Sequence, residues 1–381
     1  MSIVALADAD ASCGRKAYRL GVALRAGLRV PDGFVVTGPA VDPRRIAGQL
    51  DRLGSGAVAV RSSGLAEDAS TVSFAGQLET VLGARSLDDV LGAVRRCAAS
   101  PGTERARSYR ARLDLGDDGP AAAPVLVQAL VEADHAGVLF TRDPRTGGDA
   151  VVINASWGLG ESVVAGAVTP DEVIVTGPTD VVRLTVGAKQ TRLDLRRHGL
   201  VRSPVADADR ARSCVRPDEV PRLVALGRHA EDLFGPALDI EWAVADDRIW
   251  LVQARPITAL GGAAPTDDPA TTTPVVTGVP SSPGRARGPA RLVRSVEDFH
   301  RVRPGDILVC RTTDPAWTPL FGLAAAVVTE TGGILSHAAI VAREFGIPAV
   351  VGVDRAMTAL TDGEPVTVDG TIGTVTAGHH R

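Results

Sequence analysis

The side chains with chemical reach in this chain are His337, Glu241, Gln253, Arg61, Arg255 and Lys16. His337 stands in the run Thr-Glu-Thr-Gly-Gly-Ile-Leu-Ser-His over residues 329–337. Gly332 and Gly333 permit close backbone approach, and Ser336 is a good N-cap. His337 then falls in the first turn of a helix, whose positive end disfavours imidazolium and leaves the ring neutral and nucleophilic. The free N–H groups there would also steady an anion added to the ring. That setting suits a covalent phosphoryl carrier; a structurally satisfied histidine is the reading the residues leave open beside it. Metal ligation is disfavoured, because only Glu344 follows at helical spacing. Arg343, six residues on, lies about 120° around the helix and so off the histidine's face.

Glu241 and Gln253 sit in Asp-Ile-Glu-Trp-Ala-Val-Ala-Asp-Asp-Arg-Ile-Trp-Leu-Val-Gln-Ala-Arg-Pro, which reads as a β-hairpin. A two-residue turn at Asp246 and Asp247 would set Glu241 opposite Val252 and put Glu241 and Gln253 on opposite faces. A three-residue turn over 246–248 pairs Glu241 with Gln253 and Asp239 with Arg255. The second register is the one expected. It gives one face two carboxylates, an amide oxygen and an arginine, a donor set for Mg²⁺ and nucleotide phosphate.

Arg61 ends a strand in "AVAVRSS" and leads into a polar, glycine-containing loop, where backbone N–H groups and a bidentate arginine can hold phosphate. Lys16 follows Gly14 at a helix start and offers a point charge to phosphate. It is one of only two lysines among the 41 basic residues, the other being Lys189, so its survival hints at a role of its own. The Gly158 and Gly160 turn before Glu161 reads either as a phosphate-contacting turn or a plain tight turn.

These residues need a scaffold. Residues 1–259 mix helical periodicity ("RKAYRLGVALRAGL", "SLDDVLGAVRRCA", "GTERARSYRARLDL", "EVPRLVALGRHAEDLF") with short strands, giving an α+β domain rich in antiparallel pairs. Residues 260–273 lack periodicity and read as a linker that spans at most about 46 Å. Residues 274–381 form a second unit of short β runs with a helix beginning near Ser336. Net charge of −4 and the absence of a basic, aromatic-interleaved run argue against nucleic acid as a partner. No apolar run approaches membrane length, no leader pattern opens the chain, and the four cysteines are widely spaced. A soluble cytoplasmic protein with no membrane partner is the expectation. His135, His198, His229 and His300 carry no partner signal in the sequence.

Taken in order, "AVRSSGLAEDASTVSFAGQLET", "GVLFTRDPRTG", "ASWGLGESVVAGAVTPD", "IEWAVADDRIWLVQARPIT" and "TETGGILSHAAIVAREFGIPAVVG" resemble the phosphoenolpyruvate synthase, pyruvate phosphate dikinase and rifampin phosphotransferase superfamily across nearly the whole chain. The resemblance implies an α+β multidomain fold, with an ATP-grasp nucleotide-binding domain followed by a small swivelling β/β/α phosphohistidine domain. It implies that Lys16 and Arg61 contact ATP phosphates, that Gly76 and Gln77 belong to a phosphate loop, and that Gln128 lies near the adenine. It further implies Mg²⁺ on Glu241 and Gln253, assistance from Arg255, and phosphorylation of His337 by the β-phosphoryl of ATP with AMP released.

One departure is local: the family's Gly-Gly-Lys reads Gly14-Arg15-Lys16 here. The other is larger. Neither the C-terminal pyruvate barrel nor the rifampin-binding insertion is expected in this chain, so neither pyruvate nor rifampin is the expected substrate. The leading expectation is a phosphotransferase acting on a small-molecule hydroxyl or amine. A split subunit serving an acceptor on a partner protein comes second. A nucleotide-binding regulator comes third, and a regulator has no need of His337.

Overall fold

The computed structural model describes residues 2–38, 42–54, 56–64, 79–103, 122–177, 180–257 and 274–377. Strands β1 (Ser2–Ala5), β2 (Gly33–Thr37), β3 (Val58–Ser62), β4 (Thr80–Ala84) and β5 (Val125–Ala129) form an antiparallel sheet in the order β1-β2-β5-β3-β4. Strand alternation sorts its side chains. Val58, Val60, Val125 and Val127 join Ile46, Val90 and Val94 in a core beneath the helices Pro43–Leu53 and Leu87–Ala99. Ala59, Arg61 and Gln128 face the other way, into a cleft.

A second antiparallel sheet faces that cleft from the opposite side. Its strands are β6 (His135–Phe140), β7 (Val151–Trp157), β8 (Asp171–Thr176) and β9 (Asp180–Thr185). After a separate hairpin of β10 (Thr191–Arg196) and β11 (Gly199–Pro204) come β12 (Leu238–Ala245) and β13 (Arg248–Pro256). The order is β13-β12-β6-β7-β8-β9. Leu238, Ile240, Trp242 and Val244 of β12 pack on Leu223, Val224 and Ala230 of the helix Glu219–Phe234. Two sheets enclosing a cleft, backed by helices, is the expected ATP-grasp arrangement.

The hairpin register is as anticipated, but its turn is not. Glu241 pairs with Gln253 and Asp239 with Arg255. Yet Ala245 pairs with Arg248, so the turn has two residues, Asp246 and Asp247, at φ 49° and 58°. Both sit in the left-handed region that aspartate tolerates and that a type I′ turn demands. The register is rescued by a β-bulge: Trp242 pairs with Leu251, and Val252 is the extra residue.

The C-terminal sheet has eight strands, β14 (Val276–Thr277), β15 (Val279–Ser282), β16 (Arg285–Val293), β17 (Ile307–Cys310), β18 (Ala326–Thr329), β19 (Ala349–Val351), β20 (Pro365–Asp369) and β21 (Thr374–Ala377). Their order is β14-β21-β20-β16-β17-β18-β19-β15, with β16 to β19 parallel. The helix His337–Phe345 crosses from β18 to β19, and Ala338, Ala339, Val341 and Ala342 pack into the core. Among the described residues no helix is long and apolar enough to cross a membrane. Residues 258–273, and with them the expected linker, lie outside the described residues, as does most of the expected helix in "GTERARSYRARLDL".

The second lysine, Lys189, has structural surroundings. Wholly buried, it donates to Asp171 Oδ1 and to the carbonyl oxygens of Gly187 and Arg210. Asp171, equally buried, also accepts from the backbone N–H groups of Gly187 and Cys214, at 2.8 Å each. The pair thereby pins the segment after β9 to the start of β8. Removing one partner of a buried, hydrogen-bonded ion pair leaves an uncompensated charge, which costs about 3–5 kcal/mol. Asp171→Ala is expected to lower urea-unfolding stability by that amount; a loss under ~1 kcal/mol would show the site relaxing into solvent.

Candidate active site

The cleft has a volume of about 450 Å³ and is lined from both sheets. That volume is in the range of small-ligand sites. Lys16 reaches it because Gly14, at φ 80°, lets the chain pass against Ser63; a Cβ at Gly14 would sit 1.7 Å from the Ser63 carbonyl oxygen. The helix Arg15–Arg25 starts there, and Arg15 points to solvent, which is how the local Gly-Arg-Lys is accommodated. Lys16 is buried and donates from Nζ to the Ser62 carbonyl at 3.0 Å. Gln128 is buried at the cleft wall and donates from Nε2 to the Pro31 carbonyl at 2.9 Å.

Arg61 is the junction of the cleft. Its Nη1 donates to the carbonyl oxygen of Val252, the bulge residue, at 3.0 Å. Its Nη2 donates both to Glu241 Oε2 at 3.0 Å and to Gln253 Oε1. Two residues along the hairpin, on the same face, Arg255 donates from Nε to Asp239 Oδ2 at 2.9 Å. The expected residues Lys16, Arg61, Gln128, Glu241, Gln253 and Arg255 therefore meet in one cleft. Gly76 and Gln77 lie outside the described residues. Glu161 joins the same cleft wall; burial raises its pKa, and the Glu241 charge raises it further.

The fit of a divalent cation can be tested on this geometry. Glu241 Oε2 and Gln253 Oε1 converge on a single point, the Nη2 atom of Arg61, so a positive group already occupies their focus. Among the described residues no three His, Cys, Asp or Glu side chains gather as a metal cluster. Two convergent oxygens with further positions left to phosphate and water is the donor set of Mg²⁺ rather than of zinc.

His337 opens its helix behind Ser336, whose hydroxyl accepts from the Ala339 N–H. Its Nδ1 lies 2.9 Å from Thr313 Oγ1 and its Nε2 lies 3.3 Å from Thr318 Oγ1. The ring stands edge-on to Phe321, with centroids 5.8 Å apart. The histidine is not part of the cleft wall. It is brought close by a contact between its domain and the second sheet. Ile334 and Leu335 are buried among Val138, Phe140, Val152, Val163 and Val168. A Cβ at Gly333 would meet Pro170 at 2.9 Å, so only glycine fits against it. Arg343 donates to the carbonyl oxygens of Ser281 and Ile334, which confirms that it is a structural residue off the histidine's face.

Three features escaped the sequence reading. Thr313 and Thr318 flank His337 from elements some twenty residues away, and only the fold joins them. His135 is the first residue of β6, not a partnerless loop histidine: buried, it pairs with buried Glu219 at 3.0 Å and lies edge-on between Trp157 and Trp242. His300 likewise has a partner, the Glu297 carbonyl. Glu344 also gains significance. Burial pushes its carboxyl up to about 7, against the opposing pull of Arg343 and then Arg255 of the cleft.

Residues 42–273 match the family described as "Pyruvate phosphate dikinase, AMP/ATP-binding domain", and residues 302–373 match "PEP-utilising enzyme, mobile domain". The chain belongs to this family, and carries its ATP-binding domain followed by its mobile phosphohistidine domain. A probable phosphoenolpyruvate synthase of Methanothermobacter thermautotrophicus is 39% identical over 322 residues, covering 84% of this chain and 47% of that protein. The phosphoenolpyruvate synthase of Pyrococcus furiosus is 41% identical over 335 residues, covering 84% and 41%. That of Escherichia coli is 40% identical over 332 residues, covering 81% and 41%. The chain spans less than half the length of these relatives.

Lys16→Met is expected to weaken ATP binding at least about tenfold by calorimetry, the scale of one lost charge-assisted contact; unchanged affinity would remove Lys16 from the phosphate site.

Proposed function

We propose that this chain is an ATP-dependent phosphotransferase that loads His337 from ATP bound in the cleft and passes the phosphoryl group to a small-molecule hydroxyl or amine. The reading rests on one observation: a single chain holds a cleft with Lys16, Arg61, Glu241 and Gln253 directed into it and, against the rim of the same domain, a ring-clamped histidine at a helix N-terminus. Lys16 and Arg61 supply positive charge for the phosphates, and Gln128 and the apolar wall hold the base. Glu241 and Gln253 would hold Mg²⁺, which when bound neutralises phosphate charge and orients the transferring group. Arg255, kept in place by Asp239, adds a second guanidinium at the phosphates. The β-phosphoryl goes to His337 as its bond to AMP breaks, water takes the γ-phosphoryl away as phosphate, and His337 then passes its phosphoryl group to the acceptor, so that AMP, phosphate and the phosphorylated acceptor are the products. Division of the transfer into two steps lets one mobile histidine serve two sites.

A second reading draws on the relatives. They are phosphoenolpyruvate synthases, and the chain spans only 41–47% of the three compared. An acceptor presented by a partner protein would fit that partial span, with His337 delivering across an intermolecular contact.

Incubation with β-³²P-labelled ATP and Mg²⁺ is expected to label the protein in an acid-labile, base-stable form and to yield AMP. His337→Ala should take no label. An unlabelled wild-type protein, or label retained in the variant, overturns the phosphohistidine route. ADP as sole nucleotide product overturns the dikinase-like stoichiometry. Turnover with small molecules alone, against turnover only with a partner protein added, separates the two acceptor readings.

A further inference from the structure

The hairpin of β10 and β11 touches both walls of the cleft, and the two contacts are unequal. At its base it belongs to the second sheet. Leu193 is buried with Ala133, Ala136, Leu159 and Ala243. Its carbonyl oxygen accepts from the Leu159 N–H at 2.8 Å. Gly158, at φ 77°, forms a bridge to Leu193, and a Cβ there would lie 2.4 Å from the Leu193 carbonyl oxygen. Only glycine fits that seat. Just before β10, the buried Lys189–Asp171 pair holds the chain in place.

Nearer its turn the hairpin lies on the first sheet. Leu195 and Leu200, paired across the hairpin, pack on Gly83 of β4. A Cβ at Gly83 would come within 3.3 Å of Leu200 and 3.4 Å of Leu195. Gly83 has φ 78° and is the extra residue where the β3–β4 register shifts. Arg85 donates from Nη2 to the Arg196 carbonyl at 3.1 Å. This contact is light: Leu200 is 38% exposed, its neighbour Val201 is 44% exposed, and Arg85 and Arg196 face solvent.

The hairpin therefore runs as a strap between the walls. Leu82, beside Gly83, and Leu159, beside Gly158, both line the cleft, so the strap spans the rim between them. The walls are also joined at depth. Ala17 and Leu20 of the helix Arg15–Arg25 share a core with Leu251 and Ala254 of β13, and with Val35 and Leu126 of the first sheet. A deeply buried link persists while a shallow one parts, because parting exposes little apolar surface. Elements that open over ligand sites are drawn from this low-stability end of a structure.

We propose that β10–β11 is a clasp that retains the nucleotide. Seated on Gly83, it holds the first sheet to the second. Lifted from Gly83 and still rooted at Leu193, it lets an adenine nucleotide enter or leave. This rests on the reading of the cleft as a nucleotide site. The clasp acts on exchange, so its mark is on the rate at which nucleotide dissociates.

The test uses the full-length protein in the His337→Ala background, where no phosphoryl group is transferred. Dissociation of N-methylanthraniloyl-ATP with Mg²⁺ is followed by stopped flow after a chase of unlabelled ATP. Leu200→Asp is expected to speed dissociation at least about tenfold, the scale of one partly buried leucine. In Arg85→Cys/Arg196→Cys, a reducible thiol cross-linker is expected to slow dissociation at least about tenfold, and reduction to restore the rate. The four native cysteines are buried and do not compete for the linker. A rate unmoved by Leu200→Asp, or unmoved by the tether, overturns the clasp. Should Leu200→Asp fail to fold, the tether alone decides. If the parent protein binds no nucleotide, the cleft reading fails and the clasp with it; binding with an unmoved rate removes the clasp alone.

Discussion

Arg61 ties the two sheets of the nucleotide domain together. From β3 it crosses the cleft to the Val252 carbonyl, to Glu241 and to Gln253. A guanidinium with only 7% exposure needs compensation for lost hydration, and these oxygens provide it. The same oxygens are those a divalent cation would need. In this structure an internal cation, the Arg61 guanidinium, stands between the Glu241 and Gln253 oxygens. Arrival of a metal–nucleotide would free Arg61 to turn to phosphate while the carboxylate and amide change partners.

That convergence depends on the bulge at Val252. Without it, a two-residue turn would leave Glu241 and Gln253 on opposite faces of the hairpin. With it, the two oxygens meet and the bulged carbonyl becomes a third partner for Arg61. Bulges beside active sites commonly re-aim side chains in this way. On the other side of the molecule, the histidine domain rests on the second sheet through glycines and two apolar residues, Ile334 and Leu335. The contact is apolar at its centre. Burial brings Arg343 down to about 10, with Arg145 adding like-charge repulsion, just as it pushes Glu344 up.

Much of this was legible in the residues. The strand in "AVAVRSS" that carries Arg61 was legible, and the side-chain period fixed by backbone geometry accounts for Arg61 and Gln128 lining the same cleft once the strands pair. The helix at His337 was legible from its cap, since Ser336 and the glycines act locally. The pairing of Glu241 with Gln253 was reached through the wrong turn. A bulge costs one unpaired residue and leaves no compositional mark, whereas Asp-Asp gave no clear sign of the type I′ conformation. Thr313, Thr318 and the His135–Glu219 pair were not legible at all. Each depends on chain segments that meet only after the sheets form, and threonine carries no positional signature. Lys189 shows the limit of arguing from rarity: one of the two lysines lines the cleft, and the other is buried in a structural ion pair.

The central claim is that Glu241 and Gln253 form a cation site now filled by the Arg61 guanidinium. Calorimetric titration with ATP in the presence and absence of Mg²⁺ tests it most directly, with Gln253→Leu as the comparison. The account predicts that Mg²⁺ strengthens ATP binding to the wild type at least about tenfold and that this increment largely disappears in the variant. Equal ATP affinity with and without Mg²⁺, or an increment untouched by Gln253→Leu, would contradict it.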